Sequence, residues 1–82
     1  KSEMNVLMIE LEHKMDAKLL KALDGVISMK SVNESTFVMA HSADVDPRKA
    51  LMQLAIDNDN HIVSLQKKEK NLEEVFKELT AK

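Results

Sequence analysis

Apolar and polar positions recur along the chain with periods that predict a succession of strands and helices. Residues 4–13 alternate as in a half-buried strand, whereas Leu19, Leu20 and Leu23 recur at the spacing of one helix face. The predicted elements in chain order are a strand over 4–13, a helix over 16–24, strands over 26–33 and 36–42, a helix over 46–57, a strand over 61–66 and a helix over 71–82. The predicted order is therefore β-α-β-β-α-β-α.

Residues that start and stop helices support these boundaries. Asp16 is suited to cap the first helix, and Gly25, the only glycine, supplies the left-handed residue with which helices commonly end. Asp46 followed by Pro47 predicts the start of the second helix, because aspartate caps and proline is preorganised for the first helical position. A polar connection at 33–35 predicts a hairpin between the second and third strands.

The last predicted helix is amphipathic and has a single apolar stripe. Its apolar residues fall at i, i+3, i+4 and i+7, and charged residues take the other side. This stripe is the candidate packing or interaction surface of the helix, and it consists of Leu72, Val75, Phe76 and Leu79. Asn71 is the predicted N-cap, and Glu74 completes a capping-box-like pair with it.

The order of elements predicts an α+β fold, a ferredoxin-like βαββαβ plait. In such a plait a four-stranded, mainly antiparallel sheet carries two helices on one face, and here an extra C-terminal helix follows. A single domain is expected over 1–82, with the plait over 1–70 and the C-terminal helix over 71–82. The second face of the sheet then lacks the two plait helices.

The first strand predicts apolar residues on both faces of the sheet. Leu7, Ile9 and Leu11 share one face, and Val6 and Met8 share the other. An apolar patch of this kind is rarely left to water in a monomer. The last helix or a partner protein is therefore expected to cover part of the second face.

The third and fourth strands leave one assignment open. The third strand offers two alternative pairs for the face of Val6, which are Phe37 with Met39 and Val38 with Ala40. In the fourth strand, Val63 and Leu65 are predicted to share one face.

Composition and charge limit what the chain can do. Eighty-two residues make one domain, and 12 basic and 14 acidic residues give a formal net charge of −2. Arg48 is the only arginine, so no nucleic-acid footprint is predicted. The chain has no cysteine and no apolar run long enough to span a bilayer, which predicts a soluble domain without disulfides or direct membrane insertion.

Candidate catalytic and metal-binding chemistry is sparse. His13, His41 and His61 lie on different predicted elements without the spacing of a metal site, and are interpreted as surface or strand-end residues. The acids at 10 and 12 resemble a solvated strand face, and those at 57 and 59 resemble a turn. No catalytic, cofactor-binding or metal-binding residue is therefore assigned, and no enzyme activity is expected of this chain.

Ferredoxin-like plaits serve several functions, and the sequence lacks the residues of three of them. A heavy-metal-binding domain needs a Cys-x-x-Cys pair, and an RNA-recognition motif needs aromatic residues on the central strands. An acylphosphatase needs a glycine-rich anion cradle, which a chain with one glycine cannot build. An interaction or binding module remains.

The final motif resembles that of a known domain family. Leu72-Glu73-Glu74-Val75-Phe76, followed by Leu79-Thr80, is similar to the closing motif of the C-terminal accessory domain of ABC transporter ATP-binding subunits of the export and gliding-motility type. The similarity extends over nearly the whole chain. The further matching segments are Leu23-Asp24-Gly25-Val26, where the family often has a Leu-x-Gly-Val step, Leu51-Met52-Gln53-Leu54-Ala55, and the strand over 62–65.

The resemblance implies a non-catalytic regulatory or dimerisation domain. The ATPase domain would precede Lys1 in a longer chain, and would bind ATP and magnesium there, since this sequence has no phosphate-binding loop. The implied partners are that N-terminal ATPase domain, a second copy of the chain and, indirectly, membrane permease subunits. The implied location is cytoplasmic, at the periphery of the inner membrane.

A freestanding small-molecule sensor of the amino-acid-binding regulatory type is the alternative. Such sensors share the βαββαβ order but tend to have a glycine-bearing loop after the first strand. Residues 13–16 contain no glycine. This alternative therefore depends on a likeness of fold alone.

Overall fold

The computed structural model describes residues 4–68, and these form an α+β fold with two helices and a four-stranded sheet. The elements are β1 (Met4–Leu11), α1 (Ala17–Lys21), β2 (Val26–Ser31), β3 (Thr36–Ser42), α2 (Arg48–Asp57) and β4 (Ile62–Lys68). No helix within this range is long and apolar enough to cross a membrane.

The sheet is antiparallel throughout, with the strand order β2-β3-β1-β4. The central strands β1 and β3 pair over seven positions, so that Ile9 lies opposite Phe37 and Leu7 opposite Met39. β2 and β4 are the two edge strands. This arrangement is compatible with the predicted ferredoxin-like plait.

Both helices pack on one face of the sheet and enclose the main core there. Alternation along β1 and β3 directs every second residue of each strand to this side. The buried members of the cluster are Leu7, Ile9, Leu11, Leu20, Phe37, Met39, Leu51 and Ala55. The open assignment is thereby resolved, because Phe37 and Met39 pack under the helices, and Val38 and Ala40 share the opposite face with Val6.

The first helix is shorter than its apolar pattern predicts. Asp16 caps it as expected, accepting a hydrogen bond of 2.9 Å from the Lys18 backbone N–H. The helix ends at Lys21, with Ala22 as its C-cap. The Ala22 N–H still bonds the Lys18 carbonyl four residues earlier, at 3.1 Å, but the Leu23 N–H bonds the Leu20 carbonyl only three residues earlier, at 3.2 Å. Of the predicted stripe, Leu20 is buried and Leu19 is exposed.

Gly25 is left-handed, as predicted, but it does not end the helix. Its φ is 86°, and it lies in the turn that leads into β2. A Cβ placed on it would lie 2.6 Å from Val45 Cβ, closer than packed carbon atoms approach. Gly25 therefore lets the turn between α1 and β2 pack against the segment that leads into α2.

The second helix begins two residues later than the start predicted at Asp46. Pro47 occupies the N-cap position rather than the first helical position, and the Asp46 carboxylate accepts a 3.1 Å hydrogen bond from the Arg48 N–H. Leu51 and Ala55 are buried, whereas Ala50 is exposed.

Each edge strand carries one extra residue. Val26 pairs with His41 and Ser28 with Ala40, which leaves Ile27 as the extra residue of β2. Leu11 pairs with Ile62 and Glu10 with Ser64, which leaves Val63 as the extra residue of β4. Such bulges redirect a side chain.

These bulges explain two exposed apolar side chains. Ile27 is 54% exposed and Val63 is 60% exposed. The prediction that Val63 and Leu65 share a face is wrong, because the register shift breaks the alternation of β4. Ile62 takes the place of Val63 against the core.

The predicted C-terminal helix lies outside the described residues. Its cap residues Asn71 and Glu74 and its stripe, Leu72, Val75, Phe76 and Leu79, therefore remain predictions.

Gly25→Ala is expected to lower the free energy of unfolding by about 1 to 3 kcal/mol, because the new Cβ meets Val45 in a left-handed conformation. Chemical denaturation measures this change. Asp24→Ala is the control, since Asp24 is exposed, and it should change stability by less than about 0.5 kcal/mol. Equal stability of the two variants would contradict the packing argument.

Candidate interaction surfaces

The sheet face opposite the helices, called the outer face below, is apolar at its centre. Its central residues are Val6 and Met8 of β1 and Thr36, Val38 and Ala40 of β3. Val6 is 2% exposed, and Val38 and Ala40 are 0% exposed. Antiparallel sheets with one face in water usually alternate between buried and exposed residues. β3 does not alternate, since six consecutive residues from Thr36 to His41 are buried.

The edges of the outer face are more polar than its centre. Ser28 and Lys30 of β2 lie on this face by register with Ala40 and Val38. Gln66 and Lys68 of β4 lie opposite Met8 and Val6. The outer face thus has an apolar centre between two edges that each carry a lysine, which suits an amphipathic protein segment.

A groove beside α2, called the α2 groove below, is a second apolar surface. Met52 and Ile56 lie one turn apart on α2, and they are 55% and 61% exposed. With Ile62 and Leu65 of β4 they border a groove of about 330 Å³. Exposed apolar side chains that adjoin one another mark contact surfaces more often than single ones do.

A hollow of about 340 Å³ lies at one end of the sheet and is the most polar of these features. Several elements contribute to it, which brings together side chains far apart in the chain. Its polar lining residues are Asn5, His41, Asp46, Arg48 and Lys67. Leu7, Val45 and Leu65 form an apolar floor. Its volume lies at the lower end of the range of small-molecule pockets, and its lining is more polar than theirs commonly is.

The charges around the hollow are partly neutralised by an ion pair. Arg48 donates from Nε and Nη2 to the two Asp46 carboxylate oxygens, at 2.9 Å and 2.6 Å. These hydrogen bonds, with a further one from the Arg48 backbone N–H, lower the pKa of Asp46 to about 2. Lys67 makes no ion pair within residues 4–68, so it adds one positive charge to the hollow.

His41 is a strand-end residue, as one of the two interpretations held, but it does not lie at the surface. It is 5% exposed and lies at the end of β3. Its Nδ1 is 2.9 Å from the Ser42 carbonyl oxygen, and because a carbonyl only accepts, Nδ1 must donate in this hydrogen bond. Nε2 of a neutral ring is then left as an acceptor.

His13 and His61 are exposed, as predicted, and lie together at the other end of the sheet. The Glu12 carboxylate approaches both rings, at 3.4 Å from His13 Nε2 and closer still to His61 Nε2. The described part of the chain contains no group of three side chains that could hold a metal ion. Each histidine–carboxylate contact lies at the protein surface.

Asn60 holds this end of the sheet together. Its Oδ1 accepts from the backbone N–H groups of His13 and His61, and its Nδ2 donates to the His13 carbonyl, all at 2.9 Å. Asn60 is only 4% exposed, and a buried amide with all of these hydrogen bonds has a structural role. The turn predicted around the acids at 57 and 59 thus ends in a hydrogen-bonded connection to the end of β1.

Sequence reasoning missed the residues of the hollow. Asn5, His41 and Lys67 come from three strands, and no local motif joins them. Of these three residues, only His41 had a feature in the sequence that could have pointed to a site, since it is a histidine at the end of an apolar strand.

Comparison with known protein families, curated proteins and solved structures found no match to this chain.

Arg48→Gln is expected to raise the pKa of Asp46 from about 2 toward its ordinary value of 3.8, because the guanidinium hydrogen bonds are lost. A carboxyl NMR titration measures this. In the unchanged chain the pair's contribution to stability is present above the ordinary pKa and is lost as the pH falls through about 2. Lys49→Gln is the control and should leave the pKa of Asp46 unchanged. An unchanged pKa of Asp46 in Arg48→Gln would show that the ion pair is absent in solution.

Proposed function

We propose that this chain is a non-catalytic C-terminal regulatory and dimerisation domain of an ABC transporter ATP-binding subunit of the export or gliding-motility type. The proposal combines the resemblance of the sequence with a surface of the fold. The carrying observation is the α2 groove, where Met52 and Ile56 present exposed apolar side chains beside Ile62 and Leu65.

The Leu23-Asp24-Gly25-Val26 step supports the family part of this proposal. It lies between α1 and β2, where the left-handed Gly25 packs against Val45. A Leu-x-Gly-Val step is thereby explained by geometry, because a side chain at the glycine position would collide with the chain that enters α2. The ferredoxin-like topology is also compatible with the strand order β2-β3-β1-β4.

The domain would act by contact and not by chemistry. ATP and magnesium would be bound by an N-terminal ATPase domain of the same polypeptide, and membrane permease subunits would be indirect partners at the cytoplasmic side of the inner membrane. Two α2 grooves that meet would hold two ATPase domains close together. Tethering of this kind raises the effective concentration of one ATPase domain near the other.

Ile56→Glu is expected to weaken self-association of the 82-residue chain, because it places a charge in an apolar contact. Sedimentation velocity over a range of concentrations measures the dimer dissociation constant. The control is Ala50→Glu, which adds the same charge at an exposed position on another side of α2. The proposal expects a large rise in the dissociation constant for Ile56→Glu only.

The dimerisation part of the proposal would be overturned if the unchanged chain were a monomer at every concentration, or if both variants weakened self-association equally. The reading frame upstream of Lys1 tests the family part separately. A phosphate-loop motif and an ABC signature are expected there. A start codon directly before Lys1 would overturn it.

The hollow favours a second candidate function, a freestanding small-molecule sensor of the amino-acid-binding type. Its volume of about 340 Å³ suits a small ligand, and Lys67 with the Arg48–Asp46 pair gives it a net positive charge. Nε2 of a neutral His41 ring adds an acceptor. A carboxylate of an amino acid would pair with Lys67.

A thermal-shift screen with amino acids tests the sensor. A ligand at a hundredfold over its dissociation constant stabilises by about 2.7 kcal/mol, which corresponds to a rise in Tm of about 10 °C or more for a domain of this size. Lys67→Gln should abolish the shift, and Lys49→Gln, at an exposed site on α2, should keep it. No shift with any amino acid would remove this candidate.

A further inference from the structure

We propose that the segment after β4 folds back over the outer face of its own sheet. In this arrangement Leu72, Val75, Phe76 and Leu79 cover Val6, Val38 and Ala40. The occupant of the outer face is thus a segment of the same chain and not a second copy. The inference goes beyond the proposed function and holds equally for an accessory domain or a sensor.

Burial of the outer face is the first argument. Val38 and Ala40 are 0% exposed, although the buried residues of α1 and α2 all belong to the cluster on the other face. Neighbouring side chains on a bare sheet flank a valine or an alanine but leave its outer surface open to water. Complete burial at this position requires a further layer on the outer face.

Burial extends from the centre of the sheet to one edge. Ser28 lies on the outer face of the edge strand β2, opposite Ala40. Its Oγ is buried without a hydrogen-bond partner among the described residues. A hydroxyl at the edge of an uncovered sheet would be hydrated. The covering layer therefore spans β1 and β3 and reaches β2.

The position at which β4 ends is the second argument. Lys68, the last described residue, pairs with Val6, so the segment that follows starts beside one of the buried residues of the outer face. A helix over the last dozen residues would be about 18 Å long. Four strands are about 14 Å wide. The segment can therefore cross the sheet from β4 to β2.

The chemistry of the segment also matches that of the outer face. One side of the predicted helix carries the four-residue apolar stripe, and the other carries Glu73, Glu74, Lys77 and Glu78. Lys30 and Lys68 lie on the outer face by register, at its two edges. Acidic residues along a covering helix complement these two lysines.

A second copy fits the outer face less well than the chain's own segment does. A specific dimer buries about 800 Å² on each partner. The outer face measures about 14 Å by 20 Å, which is the footprint of one helix. A tethered segment also has an effective concentration in the millimolar range, which a second copy lacks at ordinary protein concentrations.

The test places a single tryptophan in the segment of the 82-residue chain, which has no natural tryptophan or tyrosine. Phe76→Trp places the indole on the apolar stripe, and Lys77→Trp, the matched control, places it on the charged side. The expected result is blue-shifted emission and several-fold weaker acrylamide quenching for Phe76→Trp than for Lys77→Trp. If Phe76→Trp unfolds, as judged by circular dichroism, Val75→Trp probes the same stripe.

Dilution and sedimentation separate the possible occupants. Blue-shifted emission that persists in the monomer supports the proposal. Emission that shifts to the red on dilution, together with dissociation of a dimer, assigns the outer face to a second copy and overturns it. Equal quenching of the two tryptophans in a folded monomer also overturns it. Neither outcome depends on the upstream reading frame, so the accessory-domain assignment is judged separately.

Discussion

The structure depends on a central strand that is buried on both sides. Thr36 to His41 of β3 contribute six consecutive buried residues, and β3 is flanked by β1 and β2. Phe37 and Met39 pack against the helices, while the burial of Val38 and Ala40 requires a covering layer on the outer face. A domain this small has only one main core, so loss of either layer would remove a large share of its buried apolar area.

The fold separates surfaces that could serve different partners. The α2 groove opens beside a helix, the hollow lies at one end of the sheet, and the outer face lies on the opposite side from the helices. The accessory domain proposed above would need such a division, because it would contact its own chain and a second copy at once. The ion pair of Asp46 and Arg48 keeps the only arginine at the hollow, away from the apolar surfaces.

Local patterns predicted much of the fold, and non-local contacts account for the rest. β3 follows from its run of residues that favour strands, and the Asp16 cap follows from side-chain capping; both act within a few residues. The assignment of Val63 failed because the bulge in β4 is set by the pairing of β4 with β1. The pattern of apolar residues within β4 does not reveal that pairing. The hollow was missed for the same reason, since Asn5 and Lys67 come to line one hollow only after the sheet has formed.

The extra residues of β2 and β4 bear on how copies of this domain can meet. Both edges of the sheet are interrupted, at Ile27 and at Val63, so neither edge offers a regular ladder of free N–H and C=O groups. A continuous sheet through two molecules would have to accommodate an irregularity at its seam. Natural sheets use irregular edges of this kind to avoid edge-to-edge aggregation. A crowded cell could therefore hold many copies of this domain without polymerisation through strand pairing.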